Sequence, residues 1–209
     1  MKTENAVLPY KKYHIDRNDE RLGQFAILAE RYNIGSALYP GSFVHVTPSF
    51  VFPSVTYIDT DKRAKKFFND LSVYGFVEKH KTYKDSPEIR FFAEDYRNDN
   101  LELNRDYDLL ISQYAGFVSQ HCKRFLKIGG LLLVNNSHGD ASMSYIDSDY
   151  EFIGIFTKRG NNWSLSEKDL GLYFIPKKPL NITKEYIEKV GRGVGYTKSP
   201  AGYLFKRIS

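Results

Sequence analysis

Two short apolar segments with a break between them constrain the fold of this chain most strongly. The first, Ser36–Tyr39, stops at Pro40 and Gly41, and the second, Val55–Asp59, is rich in β-branched and aromatic residues. Both compositions are typical of β-strands, and helical patterns precede and follow them. Alternating strands and helices predict an open α/β sheet, in which ligands bind at the carboxyl ends of the strands.

Gly41 and Asp59 together favour a nucleoside site at that edge. A glycine after one strand lets the backbone approach a ligand closely, and an acid at the tip of the next strand can accept the two hydroxyls of a ribose. Each residue also has a simpler interpretation. Gly41 could be a turn glycine after Pro40, and Asp59, like its neighbours Thr60 and Asp61, is placed to cap the following helix.

Length and charge limit the function classes. The chain has 209 residues, 42% of them hydrophobic and 15% aromatic, which is enough for one sizeable core. We therefore expect a single domain over residues 1–209. Lys and Arg exceed Asp and Glu by 30 to 25, and this modest excess is scattered along the sequence, so a small-molecule substrate is favoured over nucleic acid. The sequence indicates neither an oligomeric state nor a pathway.

Cysteine usage and the N-terminal segment bear on the cellular location. The only cysteine, Cys122, excludes an internal disulfide and a cysteine-rich metal cage, so no metal site is expected. The segment MKTENAVLPYKKYHI lacks the apolar core of a signal peptide, and no apolar run approaches the roughly 20 residues of a membrane-spanning helix. We expect a cytoplasmic protein without membrane insertion.

Periodicity predicts the remaining elements. Helices are expected over residues 16–35, 60–75 and 113–127, the last leaving through a turn at residues 128–130. Beyond residue 136 the pattern becomes less regular and indicates partly antiparallel strands. The further strands that the pattern predicts are Ile89–Ala93, Asp108–Ser112, Leu131–Asn135, Phe152–Lys158, Leu172–Pro176 and Gly202–Lys206.

The element order over residues 16–136 resembles the class I S-adenosylmethionine-dependent methyltransferases. The ALYPGS segment stands where that family has its glycine-rich first loop, VTYID ends in Asp59 where the family has its ribose-binding acid, and FFAEDY carries Asp95 and Tyr96 where adenine is usually held. LKIGGLLLV is similar to the family's helix-to-strand turn. The resemblance implies a Rossmann-like α/β fold with a mostly parallel sheet, helices on both faces and an antiparallel C-terminal strand region.

The resemblance also implies a cofactor, S-adenosyl-L-methionine, and a set of residues that bind it. Residues 16–136 would form the nucleoside-binding core, and residues 137–209 a less regular, substrate-facing part. Asp95 has a simpler interpretation as the partner of Arg97 in a surface ion pair. The residues predicted to bind the cofactor are Tyr39, Gly41, Ser42, Asp59, Asp95, Tyr96, Ser112 and Gln113.

Two departures from the family pattern leave an alternative open. The first loop keeps one glycine and has Phe43 where another would let the backbone approach the methionyl group, and SQYAG at residues 112–116 replaces the Asn-Pro-Pro-Tyr motif of many amino-methylating members. The alternative is a non-catalytic Rossmann-like binding or regulatory protein that retained the fold. A nicotinamide-dependent oxidoreductase is less favoured, because the G-x-G-x-x-G loop is missing. The methyl acceptor is not indicated.

His138 and Asp140, in the segment NNSHGDAS, are the candidate catalytic pair. A histidine held by a carboxylate can take a proton near neutral pH, which would suit an acceptor that must be deprotonated. The simpler interpretation is a solvated turn, since polar residues around a glycine are common in loops.

Overall fold

The computed structural model describes residues 7–103 and 106–209. Residues 1–6, on which the expectation about a signal peptide partly depends, lie outside this description. Among the described residues, none of the helices combines the length and the apolar character that crossing a bilayer requires. The α-helices are α1 (Leu8–Tyr10), α2 (Leu22–Arg31), α3 (Lys62–Phe68), α4 (Leu71–His80), α5 (Val118–His121), α6 (Asp140–Ile146) and α7 (Lys184–Val190).

The described chain divides into two compact units, with the boundary between Leu101 and Glu102. The first unit contains α1 to α4 and three strands, and the second contains α5 to α7 and five strands. The strands are β1 (Ser36–Pro40), β2 (Ser54–Ile58), β3 (Glu88–Phe92), β4 (Tyr107–Ser112), β5 (Leu126–Val134), β6 (Tyr150–Arg159), β7 (Asn162–Ser166) and β8 (Gly202–Arg207).

The three strands of the first unit are parallel and lie in the order β3-β2-β1. Their last residues are in register, since Pro40 pairs with Ile58 and Ile58 pairs with Phe92. Two more backbone bonds extend the register past the strand ends: Gly41 N–H donates to the Ile58 carbonyl at 2.7 Å, and Asp59 N–H donates to the Phe92 carbonyl at 3.1 Å. The residues that follow each strand therefore meet at one edge.

Aromatic side chains pack the helices of this unit onto its strands. The ring of Phe68 in α3 stacks on Tyr57 of β2 at 4.4 Å and on Phe91 of β3 at 5.0 Å between centroids. Tyr57 is fully buried, as are the strand residues on either side of it. Rings of this size bury 150–250 Å² each, so such contacts supply much of the energy that holds α3 against the sheet.

The helix predicted over residues 60–75 is two helices. Asp61 caps α3 by accepting the Arg63 N–H at 2.7 Å, and Asp70 caps α4 by accepting the Ser72 N–H at 2.9 Å. Thr60 is therefore not the cap, and Gly75 lies inside α4 instead of ending a helix. The two aspartates, nine positions apart, mark the starts of two helices, which the apolar periodicity alone had merged into one.

The helix predicted to begin near residues 16–19 begins at Leu22. Arg21, immediately before it, has a left-handed backbone with φ of +56°, and its guanidinium binds Asp19 at 2.6 Å. A left-handed residue cannot continue a right-handed helix, so the chain is interrupted there. The preceding residues instead form α1 and the π-helix Lys11–Ile15.

The strands of the second unit lie in the order β4-β5-β8-β6-β7. β4 and β5 are parallel, and the pairs β5-β8, β8-β6 and β6-β7 are antiparallel. Residues 109–111 and 132–134 are fully buried, as expected for central strands covered on both faces. Together with the first unit, this confirms the predicted α/β class with parallel strands followed by an antiparallel C-terminal region.

Three predictions in the second unit are wrong. β5 begins at Leu126, so residues 128–130 belong to a strand that contains a left-handed glycine, Gly129, at φ of +82°. The helix predicted over residues 113–127 is reduced to α5 and a 3-10 turn. The segment Leu172–Pro176, predicted as a strand, is largely the 3-10 helix Leu170–Phe174. Gly129 and Gly130 had indicated a turn, and the apolar and aromatic residues of Leu172–Pro176 had indicated a strand.

Candidate functional site

A cavity of about 190 Å³ lies at the carboxyl ends of the three parallel strands of the first unit. Gly41 follows β1, Asp59 and Thr60 follow β2, and residues 94–97 follow β3, and all of them line the cavity. Gly41, Asp59, Asp95 and Tyr96, which were predicted to bind the cofactor, are thus brought together. Thr60, Glu94 and Arg97 also line it and were missed as site residues, although each is a sequence neighbour of a predicted one.

The Asp59 carboxylate is held by backbone N–H groups of two different segments. Its Oδ2 accepts the Phe43 N–H at 2.7 Å, and its Oδ1 accepts the Asp61 N–H at 2.8 Å. The side chain is partly buried, and each carboxylate oxygen can accept a further hydrogen bond. Because Asp61 is the residue that caps α3, Asp59 is not the helix cap. Its carboxylate is fixed in orientation and still able to accept ligand hydroxyls.

The loop after β1 has two left-handed residues, Gly41 at φ of +65° and Phe43 at φ of +48°. Glycine takes up this conformation freely, whereas for a bulky residue it costs about 1–3 kcal/mol. The Phe43 N–H bond to Asp59 helps to hold the strained residue in place. The loop therefore has a glycine-like backbone at a position where the sequence has phenylalanine.

The Phe43 ring lies outside the Asp59 cavity. It packs edge-on against Tyr13 at 5.0 Å between centroids, and the Arg63 guanidinium lies 4.7 Å from its centre. These three side chains line a second, larger cavity of the same unit, and none of them is among the residues that line the first. The residue that the sequence marked as an obstacle to a cofactor thus leaves the Asp59 cavity open.

Asp95 both lines the cavity and pairs with Arg97. It accepts the Arg97 backbone N–H at 2.9 Å and three guanidinium bonds, from Nε at 2.9 and 3.1 Å and from Nη2 at 2.6 Å. The side chains are 39% and 64% exposed, so the pair contributes little to stability. Asp95 therefore fits both interpretations, because its surface ion pair with Arg97 forms part of the cavity wall.

The side chains of Tyr39 and Ser42 are directed elsewhere. The buried Tyr39 hydroxyl bonds Nδ1 of His45 at 3.0 Å, and burial holds the pKa of that imidazole well below its usual range. Ser42 is also buried, and its hydroxyl donates to the adjacent Phe43 carbonyl at 3.4 Å. Neither side chain lines the Asp59 cavity, so the sequence-based expectation holds at most for their backbone.

In the second unit, Ser112 ends β4 and Gln113 follows it; both are buried, and Ser112 belongs to a network around Asp140. The Ser112 and Ser119 hydroxyls donate to the two Asp140 carboxylate oxygens, and the Ser119 N–H donates to Oδ2 at 3.0 Å. Burial raises the pKa of Asp140 to about 6, against the opposing effect of these hydrogen bonds. Asp140, a candidate catalytic residue with a solvated turn as the simpler interpretation, is instead part of the core.

The predicted pair of His138 and Asp140 is not formed. His138 is exposed, and its Nδ1 lies 3.0 Å from the Ser137 hydroxyl. The Asp140 carboxylate accepts bonds from Ser112, Ser119 and the Val118 backbone N–H, and among the described residues no ion pair joins it to His138. A carboxylate committed to buried hydroxyls does not orient a solvent-exposed imidazole, so the pair is no candidate for proton transfer.

Comparison with known proteins identifies solved structures that have a similar fold. No protein-family model and no curated protein matches the sequence. The structure is similar to that of a proposed O-methyltransferase from Klebsiella pneumoniae, at 11% identity over 99% of this chain and 86% of that chain, with a TM-score of 0.52. It is equally similar to a methyltransferase from Geobacter sulfurreducens, at 14% identity over 98% and 89%, with a TM-score of 0.51.

These likenesses confirm the Rossmann-like α/β fold that the sequence resemblance implied. They extend over almost the whole chain, including the C-terminal part where the sequence resemblance faded. At these identities a structural likeness establishes the fold, and one fold supports many activities. The activity therefore depends on the chemistry of the site.

Proposed function

We propose that this chain is an S-adenosyl-L-methionine-dependent methyltransferase that acts on a small molecule. The observation that carries the proposal is the Asp59 carboxylate, which two backbone N–H groups orient inside a cavity shared with Gly41, Asp95 and Tyr96. A fold shared with methyltransferases supports it. A cytoplasmic location and a single domain over residues 1–209 remain predictions from the sequence.

The residues of the cavity fit the nucleoside part of the cofactor. In the proposal, the two Asp59 oxygens accept the ribose hydroxyls, Gly41 lets the backbone pass close to the sugar, and Asp95 and Tyr96 flank the adenine. Sites that enclose a whole drug-sized ligand occupy about 300–1,000 Å³, so a cavity of about 190 Å³ suits one part of the cofactor.

The chain's contribution to the reaction would be positional. When bound, the cofactor supplies an activated methyl group, which needs no further activation by protein side chains. The residues around Asp59 orient the nucleoside, and correct alignment with an acceptor accounts for much of such a rate enhancement. Because His138 and Asp140 do not form a pair, we assign no general base.

The alternative, a binding or regulatory protein that retained the fold, is favoured by one specific observation: the only acid-base pair predicted from the sequence is not formed. The enzyme must bind the cofactor and transfer its methyl group, whereas the alternative transfers none. Incubation with methyl-labelled S-adenosyl-L-methionine and fractionated small-molecule extracts separates them. Label in a small-molecule product supports the enzyme, and binding without transfer to any fraction supports the alternative.

Calorimetry with S-adenosylhomocysteine tests the site itself. We expect binding by the wild type and a loss of at least about 100-fold in Asp59→Ala, because two hydrogen bonds to a charged group are removed. Asp61→Ala is the matched control, since it removes a neighbouring carboxylate that caps α3 but does not line the cavity. No binding by the wild type at millimolar ligand, or equal losses in the two variants, would refute the proposal.

A further inference from the structure

The second cavity of the first unit has a volume of about 800 Å³, within the range of small-molecule sites. Its apolar walls come from the N-terminal helical segment, the loop after β1, and α3. The side chains that form these walls are Leu8, Pro9, Tyr13, Phe43 and Phe67. Three of them are aromatic, so the cavity offers flat apolar surface to a ligand.

Positive charge surrounds these walls. Four cationic side chains, Lys11, Lys12, Arg63 and Lys66, and two acids, Asp16 and Asp70, line the same cavity. The Asp70 carboxylate accepts the Ser72 N–H and hydroxyl and keeps its negative charge. Because four cations and two acids line the cavity, its lining carries an excess of positive charge.

The four cations differ in whether another side chain already contacts their charged group. The Arg63 guanidinium forms an ion pair with Asp61 at 2.6 Å, and Lys12 lies over the Tyr13 ring at 5.8 Å. Among the residues that the structure describes, Lys11 and Lys66 form no ion pair, although the pKa of Asp70 is lowered by its bonds to Ser72 and, to a smaller extent, by the Lys66 ammonium. Both ammonium groups line the cavity, and Lys11 is the less engaged of the two.

We propose that this cavity binds a small organic anion: a flat apolar or aromatic body that carries a carboxylate or phosphate group. The body would pack against Phe43, Tyr13 and Phe67, and Lys11 and Lys66 would contact the anionic group. A concave site of this size, with its cations around an apolar floor, matches a small molecule better than nucleic acid, which is bound by a basic stripe that follows the phosphates.

Phe43 connects this cavity to the Asp59 site. Its backbone N–H donates to the Asp59 carboxylate, and its ring lines the larger cavity. One strained residue thus contributes to both sites, which makes the anion the candidate methyl acceptor. This last step depends on the proposed function, whereas binding of the anion does not.

The test uses four naphthalene probes of nearly the same size: 2-naphthoate, 2-naphthyl phosphate, neutral 2-naphthol and cationic 2-naphthylmethylamine. We expect at least one anion to bind about tenfold more tightly than 2-naphthol and the cation. The tighter of the two anions identifies the preferred group. Equal affinity for anions and cation would overturn the proposal.

Charge variants locate the binding. Lys11→Met and Lys66→Met should each weaken binding of the preferred anion about threefold, and the double variant about tenfold. Lys65→Met is the matched control, because this exposed neighbour on α3 does not line the cavity and its loss should leave the affinity unchanged. A loss in Lys65→Met equal to that in Lys66→Met would place the anion elsewhere and refute the site.

The same samples are titrated with S-adenosylhomocysteine. A protein that binds this ligand but not the anions refutes the cavity proposal and leaves the proposed function standing. A protein that binds the anions but not S-adenosylhomocysteine supports the cavity and refutes the function.

Discussion

Asp59 and Asp140 are both predicted site residues, and the structure gives them opposite environments. Asp59 is partly buried, is held by two backbone N–H groups and faces an open cavity. Asp140 is 2% exposed and is held mainly by serine hydroxyls. Both carboxylates accept backbone N–H groups, so the difference lies in burial: Asp59 keeps a side exposed to a cavity, whereas Asp140 is enclosed and stabilises the fold.

The largest effect is expected from Asp140→Ala. The substitution leaves the Ser112 and Ser119 hydroxyls and the Ser119 N–H buried without their acceptor, at about 1–3 kcal/mol for each donor that finds no other partner. We expect a loss of about 3 kcal/mol or more in the free energy of unfolding, measured by urea denaturation. A loss below about 1 kcal/mol would show that Asp140 is not a structural residue.

The pH dependence of stability should report Asp140 next. Its pKa is raised from 3.8 to about 6 in the folded state, so the folded protein binds this proton over a pH range in which the unfolded chain has lost it. The contribution is therefore fully present below about pH 4 and is lost as the pH rises through about 6. Relative to Asp140→Asn, the wild type should lose up to about 3 kcal/mol between pH 4 and pH 7.

Urea denaturation of both proteins across that pH range makes this measurement. Subtracting the Asp140→Asn curve removes the titration of all other groups that the two proteins share. A difference that does not change with pH would contradict the raised pKa, and a difference of opposite sign would mean that the network favours the ionised carboxylate.

Phe43 offers a smaller and more local test of the Asp59 site. Phe43→Ala and Phe43→Gly both remove the ring from Tyr13 and Arg63, but only glycine also relieves the left-handed backbone. We expect Phe43→Gly to be more stable than Phe43→Ala by about 1 kcal/mol, from their urea midpoints. Equal stabilities would mean that residue 43 is not strained.

The smallest effect is expected from Arg97→Gln. Its ion pair with Asp95 is exposed, so the free energy of unfolding should change by less than about 0.5 kcal/mol. The affinity for S-adenosylhomocysteine should still fall several-fold, because Asp95 loses the partner that orients it in the cavity wall. Thermal unfolding and calorimetry measure the two quantities, and an unchanged affinity would remove Asp95 from the site.

The strand ends of the first unit could be predicted because short-range patterns determine them. Short apolar runs predicted strands that end near Gly41, Asp59 and Asp95, and the parallel register brings those positions together. The backbone conformation of Phe43 could not be predicted from such short-range patterns. A left-handed phenylalanine has no signature in composition, since its conformation depends on a hydrogen bond to a carboxylate distant in sequence.

Asp140 could not be predicted for a similar reason. Its segment, NNSHGDAS, has the composition of an exposed turn, and the partners that bury it, Ser112 and Ser119, lie more than twenty positions earlier. Gly75 was predicted to end a helix and residues 128–130 to form a turn, and both predictions are wrong. Glycines usually end helices or form turns, but here one lies inside α4 and two lie inside β5.

The most direct test of the proposed site measures whether Asp59 contacts the ribose hydroxyls. Affinities are compared for S-adenosylhomocysteine and its 2′,3′-dideoxy analogue, each with the wild type and with Asp59→Ala. If the carboxylate binds both hydroxyls, their removal should cost the wild type about 30-fold or more and cost Asp59→Ala almost nothing. Equal losses in the two proteins would contradict the contact on which the proposed function depends.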